Sequence, residues 1–397
     1  MERLDSGIRR PCYVSVAYSH EPTDPRVRRH CETMARRGWR VYQLGLATDG
    51  ECRTGHLNGV VLVRRRRPRY RGGKLLRYLT SYVGFFLWAL RLVARLARAR
   101  TVDVVHANNI PNFVVFCAAP ARRRGAGVIL DIHDPVPELF LSKFGRRRGA
   151  AVLSGLLRLE ERVAARYAHA VLCVHDVHLE VTEAHGVDSR KIRVVINAPD
   201  AHLVPLGSPR RPHPLDAYHG TVAGRMALDT VLEALHLLLE QGVPVRGAIW
   251  GDGDAVEHLK QVRERLGMID VVDLPGRRFR LESLVPKLGT VGVGIVPIAR
   301  DVFTDVGLPT KLLEYVRLGI PVVAAWNPTV DRYFPEDTVR FVREFTAEAV
   351  AAALVETLRC PDESRERAAR AQRLPIAASW QDLEGAFAEI VEGVRRA

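Results

Sequence analysis

Residues 291–325, VGVGIVPIARDVFTDVGLPTKLLEYVRLGIPVVAA, constrain the fold of this chain more than any other stretch. The apolar run at 291–298 predicts a buried strand. Residues 310–318 have the apolar spacing of a helix, which Gly319 ends, and residues 322–325 predict a second buried strand. A strand–helix–strand unit of this kind belongs to a parallel α/β sheet.

The start of that helix carries the first candidate site residues. Ligands of parallel sheets collect at the carboxyl ends of the strands, where such helices begin. Backbone N–H groups there, with Lys311 in the first turn, can hold a phosphate, and Glu314 can accept hydrogen bonds from sugar hydroxyls. An ordinary unit with a solvated lysine and glutamate shows the same pattern, so the residues alone leave both interpretations open.

The first half of the chain opens as a sheet of the same kind. A strand at 14–18 is followed by Asp24, a cap residue, and a first-turn proline that together predict a helix, and then by a strand at 41–46. No G-x-G-x-x-G follows the first strand, which disfavours a dinucleotide-dependent dehydrogenase. His20 and Arg26 flank this loop, either as ligand contacts or as ordinary surface residues.

Two further strands of the first half end in polar residues. Residues 102–107 lead to Asn108, and residues 127–132 lead to His133, with Glu138 in the loop that follows. A histidine at the carboxyl end of a parallel strand lies where ligands collect. A lone histidine more often makes structural hydrogen bonds, so its position alone does not decide its role.

The proline-rich segment 203–216 predicts a linker to a second domain. That domain begins with a strand and the turn Gly220-Thr221, and Arg225 precedes its first helix. A later strand ends in GDGD, whose glycines Gly251 and Gly253 are weak evidence for phosphate binding on their own.

The chain has 397 residues and a net charge of +14, which suits two domains and a polyanionic partner. Arginine runs lie at residues 64–67, 122–124 and 146–148. No nucleic-acid motif accompanies them, so nucleic acid is disfavoured. An anionic membrane surface or a phosphorylated substrate remains, and biased codon usage explains the runs equally well.

Residues 78–90 form an uncharged run that contains aromatic residues and is flanked by arginines. The run is too short to cross a bilayer as a helix, which takes roughly twenty residues. Its pattern is typical of a helix in the membrane interface and equally of a core helix with two different faces. We therefore predict contact with an anionic membrane surface through residues 64–100, a core role, or both.

Cysteine and histidine spacing gives no sign of a metal or a disulfide framework. The six cysteines are scattered without a C-x-x-C pair, and His175 and His178 lack a third ligand at a suitable spacing. We therefore predict no metal site. The first residues lack an apolar signal-peptide core, so we expect a cytoplasmic protein.

Four segments carry a family resemblance: LDIHDPVPELF, VVINAPD, YHGTVAGRMALDTVLEA and PTKLLEYVRLGIPVVAA. They resemble the family-four (group 1) retaining glycosyltransferases, and the resemblance covers most of the chain. It implies the GT-B fold, an α/β architecture of two Rossmann-like domains facing a central cleft, with a C-terminal helix that crosses back to the first domain. The implied divisions are residues 1–203 for acceptor binding, 204–216 for a linker, 217–375 for donor binding and 376–397 for the terminal helix.

The resemblance also implies roles for individual residues. His133 and Glu314 would be catalytic, with His133 against the transferred sugar. The donor would contact Gly220, Thr221, Arg225, Gly251, Gly253, Arg277, Leu308, Pro309, Thr310, Lys311 and Glu314. The acceptor would contact His20, Asp24, Arg26, Asn108 and Glu138. Many members carry a further glutamate at the position of Val306, and a basic pair where this chain has Arg225 alone unless Lys311 completes it.

The implied activity is retaining transfer of a sugar from a nucleoside diphosphate sugar, with no metal or other cofactor required. The acceptor would be a polyprenyl-linked, phospholipid-linked or other glycan, and the enzyme would work in glycan biosynthesis, peripherally at the inner face of the plasma membrane. Two alternatives remain. One is a nucleotide-sugar epimerase or phosphorylase of the same fold, and the other is a non-catalytic homologue that binds sugar nucleotides, which the valine at 306 keeps open.

Overall fold

The computed structural model describes residues 9–20, 24–47, 50–66, 75–145 and 148–396. The chain forms two compact units, one of Met1–Ile196 with Leu383–Ala397 and one of Asn197–Asp382. Several predicted basic residues, namely Arg67, Lys74, Arg146 and Arg147, lie outside the described residues.

The first unit alternates strands and helices from its start. Its strands are β1 (Cys12–His20), β2 (Arg40–Leu46), β3 (Thr54–Leu57), β4 (Val60–Arg65), β5 (Val104–Asn108), β6 (Gly127–Ile132), β7 (Ala170–Cys173) and β8 (Ile192–Val194). Its helices are α1 (Pro25–Arg36), α2 (Leu75–Ala99), α3 (Ala119–Arg122), α4 (Val136–Phe144), α5 (Ala150–Tyr167) and α6 (Asp176–Ala184).

These strands form one sheet in the order β3-β4-β2-β1-β5-β6-β7-β8. Every pairing is parallel except that of β3 with β4. Strands β1, β5, β6 and β7 are almost wholly buried, as expected for a parallel sheet that is covered on both faces. The carboxyl ends of the neighbouring strands β5 and β6 place Asn108 beside the residues that follow Ile132.

Helix α2 has one buried face and one exposed face. Phe85, Ala89, Val93 and Ala97 recur every fourth residue and lie in the core of the first unit. Its length exceeds the uncharged run at 78–90, and Leu76–Ala99 is long and apolar enough to cross a membrane by length and composition alone. The prediction that this segment is too short to span therefore does not hold for the whole helix, while the predicted core role is observed.

The second unit repeats the alternation. Its strands are β9 (Leu215–Thr221), β10 (Arg246–Asp252), β11 (Val272–Asp273), β12 (Val293–Val296), β13 (Val322–Ala325) and β14 (Arg340–Val342). Its helices are α7 (Leu228–Glu240), α8 (Val256–Arg265), α9 (Leu281–Leu288), α10 (Thr310–Arg317), α11 (Pro328–Tyr333), α12 (Ala347–Arg359) and α13 (Pro361–Gln372). Helix α14 (Trp380–Arg396) begins in this unit and continues in the first.

The second sheet has the order β11-β10-β9-β12-β13-β14, and all of its pairings are parallel. Helix α10 connects the neighbouring strands β12 and β13, so the strand–helix–strand unit predicted from residues 291–325 is confirmed. On α10, the buried residues are Leu312, Leu313, Tyr315 and Val316. Lys311 and Glu314 are less buried and lie next to the carboxyl end of β9.

The predicted linker is part of the second unit. Backbone N–H groups of Gly207 and Arg210 donate to the carbonyls of Arg317 and Gly319 at 2.9 Å each, so the segment is fastened beside the end of α10. The two units divide between Ile196 and Asn197, several residues before the predicted boundary at 203.

The terminal helix joins the first unit, as predicted. Phe387 of α14 is 1% exposed and stacks on His30 of α1 with ring centroids 4.2 Å apart. The Thr33 hydroxyl donates to Glu384 at 2.9 Å. Because the residues from Leu383 onward lie with α1, the end of the chain completes the core of its first unit.

Candidate functional site

The start of α10 has no side-chain cap, although the Leu312 N–H donates to the Pro309 carbonyl at 3.1 Å. Pro309 is the cap residue and has no side chain that can accept from the first turn. Thr310 is exposed, and Leu308 and Pro309 are half-buried, so the first-turn N–H groups lie close to solvent. A helix start without a capping acceptor favours an anionic group there.

Lys311 lies over the end of β9. Its Nζ is 4.7 Å from the centre of the Tyr218 ring, and its Cε would be 3.3 Å from a Cβ placed on Gly220. Gly220 has φ +122°, which other residues rarely adopt, so the backbone favours glycine there, and a Cβ would also press on the lysine side chain. Burial lowers the pKa of Lys311 to about 8. The charge of Glu314 opposes this by raising the pKa, and the charge of Arg225 lowers it further.

Arg225 supplies a second positive charge in the same neighbourhood. It lies in a 3₁₀ turn, Gly224–Met226, before α7, and its guanidinium carbon is 6.0 Å from the centre of the Phe303 ring. Its Nε is buried and forms no hydrogen bond within the described residues. Its charge lowers the pKa of both Lys311 and Tyr218, which places these three side chains near one another.

Glu314 is held by a histidine that the sequence analysis missed. His219 of β9 is buried, and its Nε2 lies 2.5 Å from Glu314 Oε2. Its Nδ1 lies 3.1 Å from the Tyr315 hydroxyl, which itself donates to the Ala217 carbonyl at 2.8 Å. Since the tyrosine proton is used on Ala217, the hydroxyl oxygen accepts from Nδ1–H of His219.

This arrangement leaves one proton between His219 and Glu314. A neutral ring protonated on Nδ1 has no proton on Nε2, so a 2.5 Å contact requires either a protonated carboxyl or a cationic ring. Burial, and then the charge of Lys311, lower the pKa of His219 to about 3, which favours the neutral ring. The only advance signal for His219 was its position next to Gly220.

The other predicted donor residues have mixed surroundings. A Cβ on Gly251 or Gly253 would lie 1.9 Å from the carbonyl oxygen of Gly220 or Val222, so both glycines permit close approach of neighbouring backbone. Thr221 is exposed at the end of β9. Arg277 is exposed after β11, with its guanidinium 4.7 Å from the centre of the Phe279 ring.

Many family members carry a glutamate at the position of Val306, and the two acidic residues of the loop before α10 do not replace it. Asp305, next to Val306, accepts from Nε and a terminal nitrogen of Arg300 at 3.0 and 2.8 Å. Asp301 accepts from the backbone N–H groups of Phe303 and Thr304 at 2.8 Å each. Both acids therefore shape the loop itself.

The end of β6 carries a buried charge cluster in the first unit. The guanidinium of Arg26 donates to both oxygens of Asp131 at 2.9 and 2.8 Å and to the Val195 carbonyl at 2.7 Å. His133 Nε2 lies 3.2 Å from Asp131 and 3.2 Å from Asn108 Oδ1. Because the Asn108 amide nitrogen donates to Ser15 and Val16, its oxygen accepts from Nε2–H of His133.

Charge within this cluster overrides the effect of burial. Burial alone would raise the pKa of Asp131, yet Arg26, His133 and His106 hold it well below its usual range. Burial alone would lower the pKa of His133, yet Asp131 raises it. The His133 side chain is 17% exposed while Asp131 is fully buried, so His133 is the member of the cluster that a ligand can reach.

Three predicted acceptor residues have structural partners instead. Arg26 is 2% exposed and its guanidinium is used on Asp131, so it does not fit the predicted contact with an acceptor. Glu138 is 8% exposed and lies 3.1 Å from His185, whose pKa is raised to about 9 because Glu138 and Glu161 outweigh its burial. Asp24 caps α1 by accepting from the Val27 N–H, as predicted, and His20 ends β1 half-buried.

One group of side chains has the ligand types of a metal site. His30, His106 and Asp131 offer ligand atoms within 4.8 Å of one another. The Arg26 guanidinium already holds both oxygens of Asp131, so a cation there would face an adjacent buried positive charge. This donor set does not fit a metal ion. His175 Nδ1 accepts from the His178 N–H as the cap of α6.

The two units match two family models. Residues 23–198 match the model described as glycosyl transferase 4-like domain, and residues 214–360 match that of glycosyl transferases group 1. The chain belongs to the group 1 glycosyltransferases, the family with the GT-B fold.

A curated relative agrees with this membership. The chain is 30% identical over 148 residues to the putative colanic acid biosynthesis glycosyltransferase WcaL of Salmonella typhimurium, which covers 36% of this chain and 35% of that protein. The match thus spans about a third of the relative's length.

Solved structures share the fold across nearly the whole chain. Sucrose-phosphate synthase from Thermosynechococcus elongatus is 16% identical with a TM-score of 0.70, covering 97% of this chain and 99% of that one. HepE from Anabaena, in complex with UDP and glucose, is 15% identical with a TM-score of 0.67, covering 96% and 100%. At these identities the likeness concerns the fold.

Proposed function

We propose that this protein is a retaining glycosyltransferase that moves a sugar from a nucleoside diphosphate sugar to a membrane-associated or glycan acceptor. The observation that carries the proposal is the group at the start of α10. There, two cations and an uncapped helix start lie one turn from a carboxyl group fixed by His219.

The cations and the helix start would hold the donor diphosphate. Arg225 lies close enough to Lys311 for its charge to lower the pKa of that lysine, and the start of α10 adds backbone donors. The leaving group of the reaction is the nucleoside diphosphate, and fixed positive charge stabilises it as it departs. On this basis the reaction requires no metal ion. The complex of the structurally similar HepE with UDP is consistent with such a donor.

Glu314 would hold hydroxyls of the donor, most simply those of the ribose. Its carboxyl is held on one oxygen by His219 and is one helical turn beyond the diphosphate site. A carboxyl group that is fixed before the substrate arrives loses little conformational entropy on binding.

His133 would contact the transferred sugar. Its Nε2 is held by Asp131 and Asn108, which leaves the rest of the ring to meet a ligand at the end of β6. The negative charge of Asp131 offsets positive charge on this ring, so His133 can lie beside a sugar whose anomeric carbon becomes positive in the transition state. This role places His133 among the catalytic residues.

The acceptor would be lipid-linked or another glycan close to an anionic membrane. The net charge is +14, and α2 exposes Leu76, Leu79, Val83 and Leu87 next to arginines. The relative WcaL is named for colanic acid biosynthesis, which agrees with a role in glycan biosynthesis. The enzyme would then work in the cytoplasm, peripherally at the inner face of the plasma membrane.

Release of nucleoside diphosphate from a panel of nucleotide sugars, with and without a chelator, tests the proposal. We expect one donor to be turned over, chelator to have no effect, and a glycosylated acceptor to keep the donor's anomeric configuration by NMR. Epimerised sugar nucleotide without an acceptor product would indicate an epimerase, and binding without turnover a non-catalytic homologue.

A further inference from the structure

We propose that the outer face of α5 is a docking surface for an anionic lipid bilayer. This surface lies in the first unit and is separate from α2 in sequence. The inference rests on the membrane location in the proposed function and names a surface for it, but lipid binding can be measured without sugar transfer, so the two can fail separately.

Helix α5 exposes an apolar stripe along most of its length. Val152, Leu156, Leu159 and Val163 are 71%, 55%, 51% and 47% exposed. Their spacing of four, three and four residues puts them on one face of the helix. The inward face is formed by Ala150, Ser154, Glu161, Ala164 and Ala165. Isolated exposed leucines are ordinary, but a continuous stripe is a mark of an interaction surface.

The charges on α5 are separated by face. Its acidic residues both point inward: Glu161 is buried against His185 at 2.7 Å, and Glu160 accepts from the Asn112 amide at 3.0 Å. Arg162 and Arg166 are exposed on one flank of the stripe, whereas Arg158 lies farther round the helix and pairs with Glu138 at 3.6 Å. The outer face of this helix is therefore apolar and basic, with no acidic side chain, which complements an apolar partner of negative charge.

A basic cavity lies at the C-terminal end of the stripe. It has a volume of about 440 Å³ and is lined by Arg162, Ala165, Arg166, Gly186, Val187, Asp188 and Lys191. Its acid, Asp188, is neutralised by Arg190 at 2.8 Å. Arg162 and Lys191 are partly used on backbone carbonyls, whereas the Arg166 guanidinium forms no hydrogen bond within the described residues. A cavity of this size and charge fits the phosphate of a lipid headgroup.

The α5 face lies on the same side of the first sheet as α2. Both helices pack on the segment at Asn112–Ala118: Phe86 of α2 meets Phe113 with ring centroids 5.9 Å apart, and Phe116 meets Tyr167 of α5 at 5.0 Å. Two helices with exposed apolar residues and arginines thus pack on one segment of the first unit.

A lipid bilayer suits this surface better than a second copy of the chain. In a symmetric dimer the same face meets itself, so the arginines of one copy would lie against those of the other without acids to match them. Anionic headgroups provide the missing negative charge, and acyl chains accept the leucines.

Vesicle sedimentation of the intact protein tests the proposal. The variant is Leu156→Gln with Leu159→Gln, and the matched control is Leu206→Gln with Ile269→Gln, two side chains of similar exposure (65% and 53%) in the second unit. We expect wild type and control to bind vesicles of phosphatidylcholine with phosphatidylglycerol. The α5 variant should bind about tenfold more weakly, since the apolar part of the binding is lost.

Three results would overturn the proposal. They are equal binding by the α5 variant and wild type, wild-type binding that is the same without phosphatidylglycerol, and a dimer by light scattering that only the α5 variant disrupts. A second variant, Arg166→Gln, keeps the stripe and should lower only the part of the binding that depends on phosphatidylglycerol. An unchanged dependence on that lipid would contradict the role of the basic cavity.

Discussion

At the scale of single residues, Arg26 and Asp131 form an ion pair whose side chains are 3% and 0% exposed. Removing one partner leaves the other charged and buried, which is far more costly than the pair itself. Asp131→Asn should therefore lower the free energy of unfolding by roughly 3–5 kcal/mol at pH 7.

Urea unfolding measures this loss, and Asp305→Asn is the matched control. Asp305 pairs with Arg300 at the surface, where the two side chains are 28% and 48% exposed, so its loss should cost about 1 kcal/mol or less. The pKa of Asp131 is depressed, so its contribution is present above the usual carboxyl pKa and is lost as the pH falls through its value in the folded protein. Equal losses for the two variants would contradict a structural role for the buried pair.

Glu314→Gln should mainly raise the KM for the donor, by about tenfold, because a hydrogen bond to the donor exists both before and during the reaction. His219→Ala should raise the same KM, since it removes the contact that holds Glu314 at 2.5 Å. Steady-state kinetics with varied donor concentration measures both. A fall in kcat at unchanged KM would show that Glu314 acts in the transition state instead.

His133→Ala should mainly lower kcat, by about 10- to 100-fold, because its contact matters most as charge develops on the sugar. Unfolding should stay cooperative, since the side chain is at the surface of the cluster. Kinetics on the true acceptor measure the effect. Full kcat in this variant would overturn the catalytic role of His133 and leave the fold unaffected.

The sequence predicts the location of a candidate site residue when that residue follows directly on the end of a strand. His133, Asn108, Lys311 and Glu314 all lie at the carboxyl ends of strands or at the following helix, as the alternation of strands and helices required. The sequence predicts that Arg26 contacts a ligand, because its helix begins at the loop after β1. The orientation of its side chain instead depends on Asp131, which is distant in sequence. No spacing rule links such a pair, and the same holds for His219 and Glu314.

At the scale of elements, the start of α10 predicts a pH dependence. Lys311 has a pKa of about 8 because it is buried, so it loses its charge as the pH rises through 8. Affinity for a nucleoside diphosphate should fall over the same interval, since the phosphates themselves are already ionised above pH 7. Calorimetric titrations between pH 7 and 9.5 measure it.

Lys311→Arg is the control for this dependence, since arginine keeps its charge throughout the interval. Its affinity should stay nearly constant with pH. If the wild type shows no change through pH 8, Lys311 does not contact the phosphates or its charge is fixed by another group.

Helix α2 shows which properties of an element the sequence determines. Arginines flank the uncharged run at 78–90, and the sequence analysis bases its prediction of a short helix on that run alone. Arginines at helix ends extend their aliphatic parts along the surface, so they do not end a helix, and α2 continues to Ala99. The buried face of α2 contains Phe85, Ala89, Val93 and Ala97. A helical period suggests that one face is buried, but it does not determine which apolar residues form that face.

At the scale of the whole molecule, two parallel sheets and the return of the last helix were predictable from the alternation of elements and from family resemblance. The division at Ile196 was not, because Leu203 and the prolines after it resemble a free linker. Their backbone instead bonds to the end of α10. Such contacts between residues more than a hundred positions apart leave no local pattern.

The central claim is that the second unit holds a nucleoside diphosphate at Lys311. Calorimetric titration of UDP, GDP and ADP into the intact chain, Lys311→Ala and Lys260→Ala tests it most directly. Lys260 is the control because it is a surface lysine of the same unit, paired with Glu257. We predict that one diphosphate binds the wild type, that Lys311→Ala weakens it by about 1.5–3 kcal/mol, and that Lys260→Ala and the matching nucleoside show little change. Binding of none of the three, or equal binding to wild type and Lys311→Ala, would contradict the account.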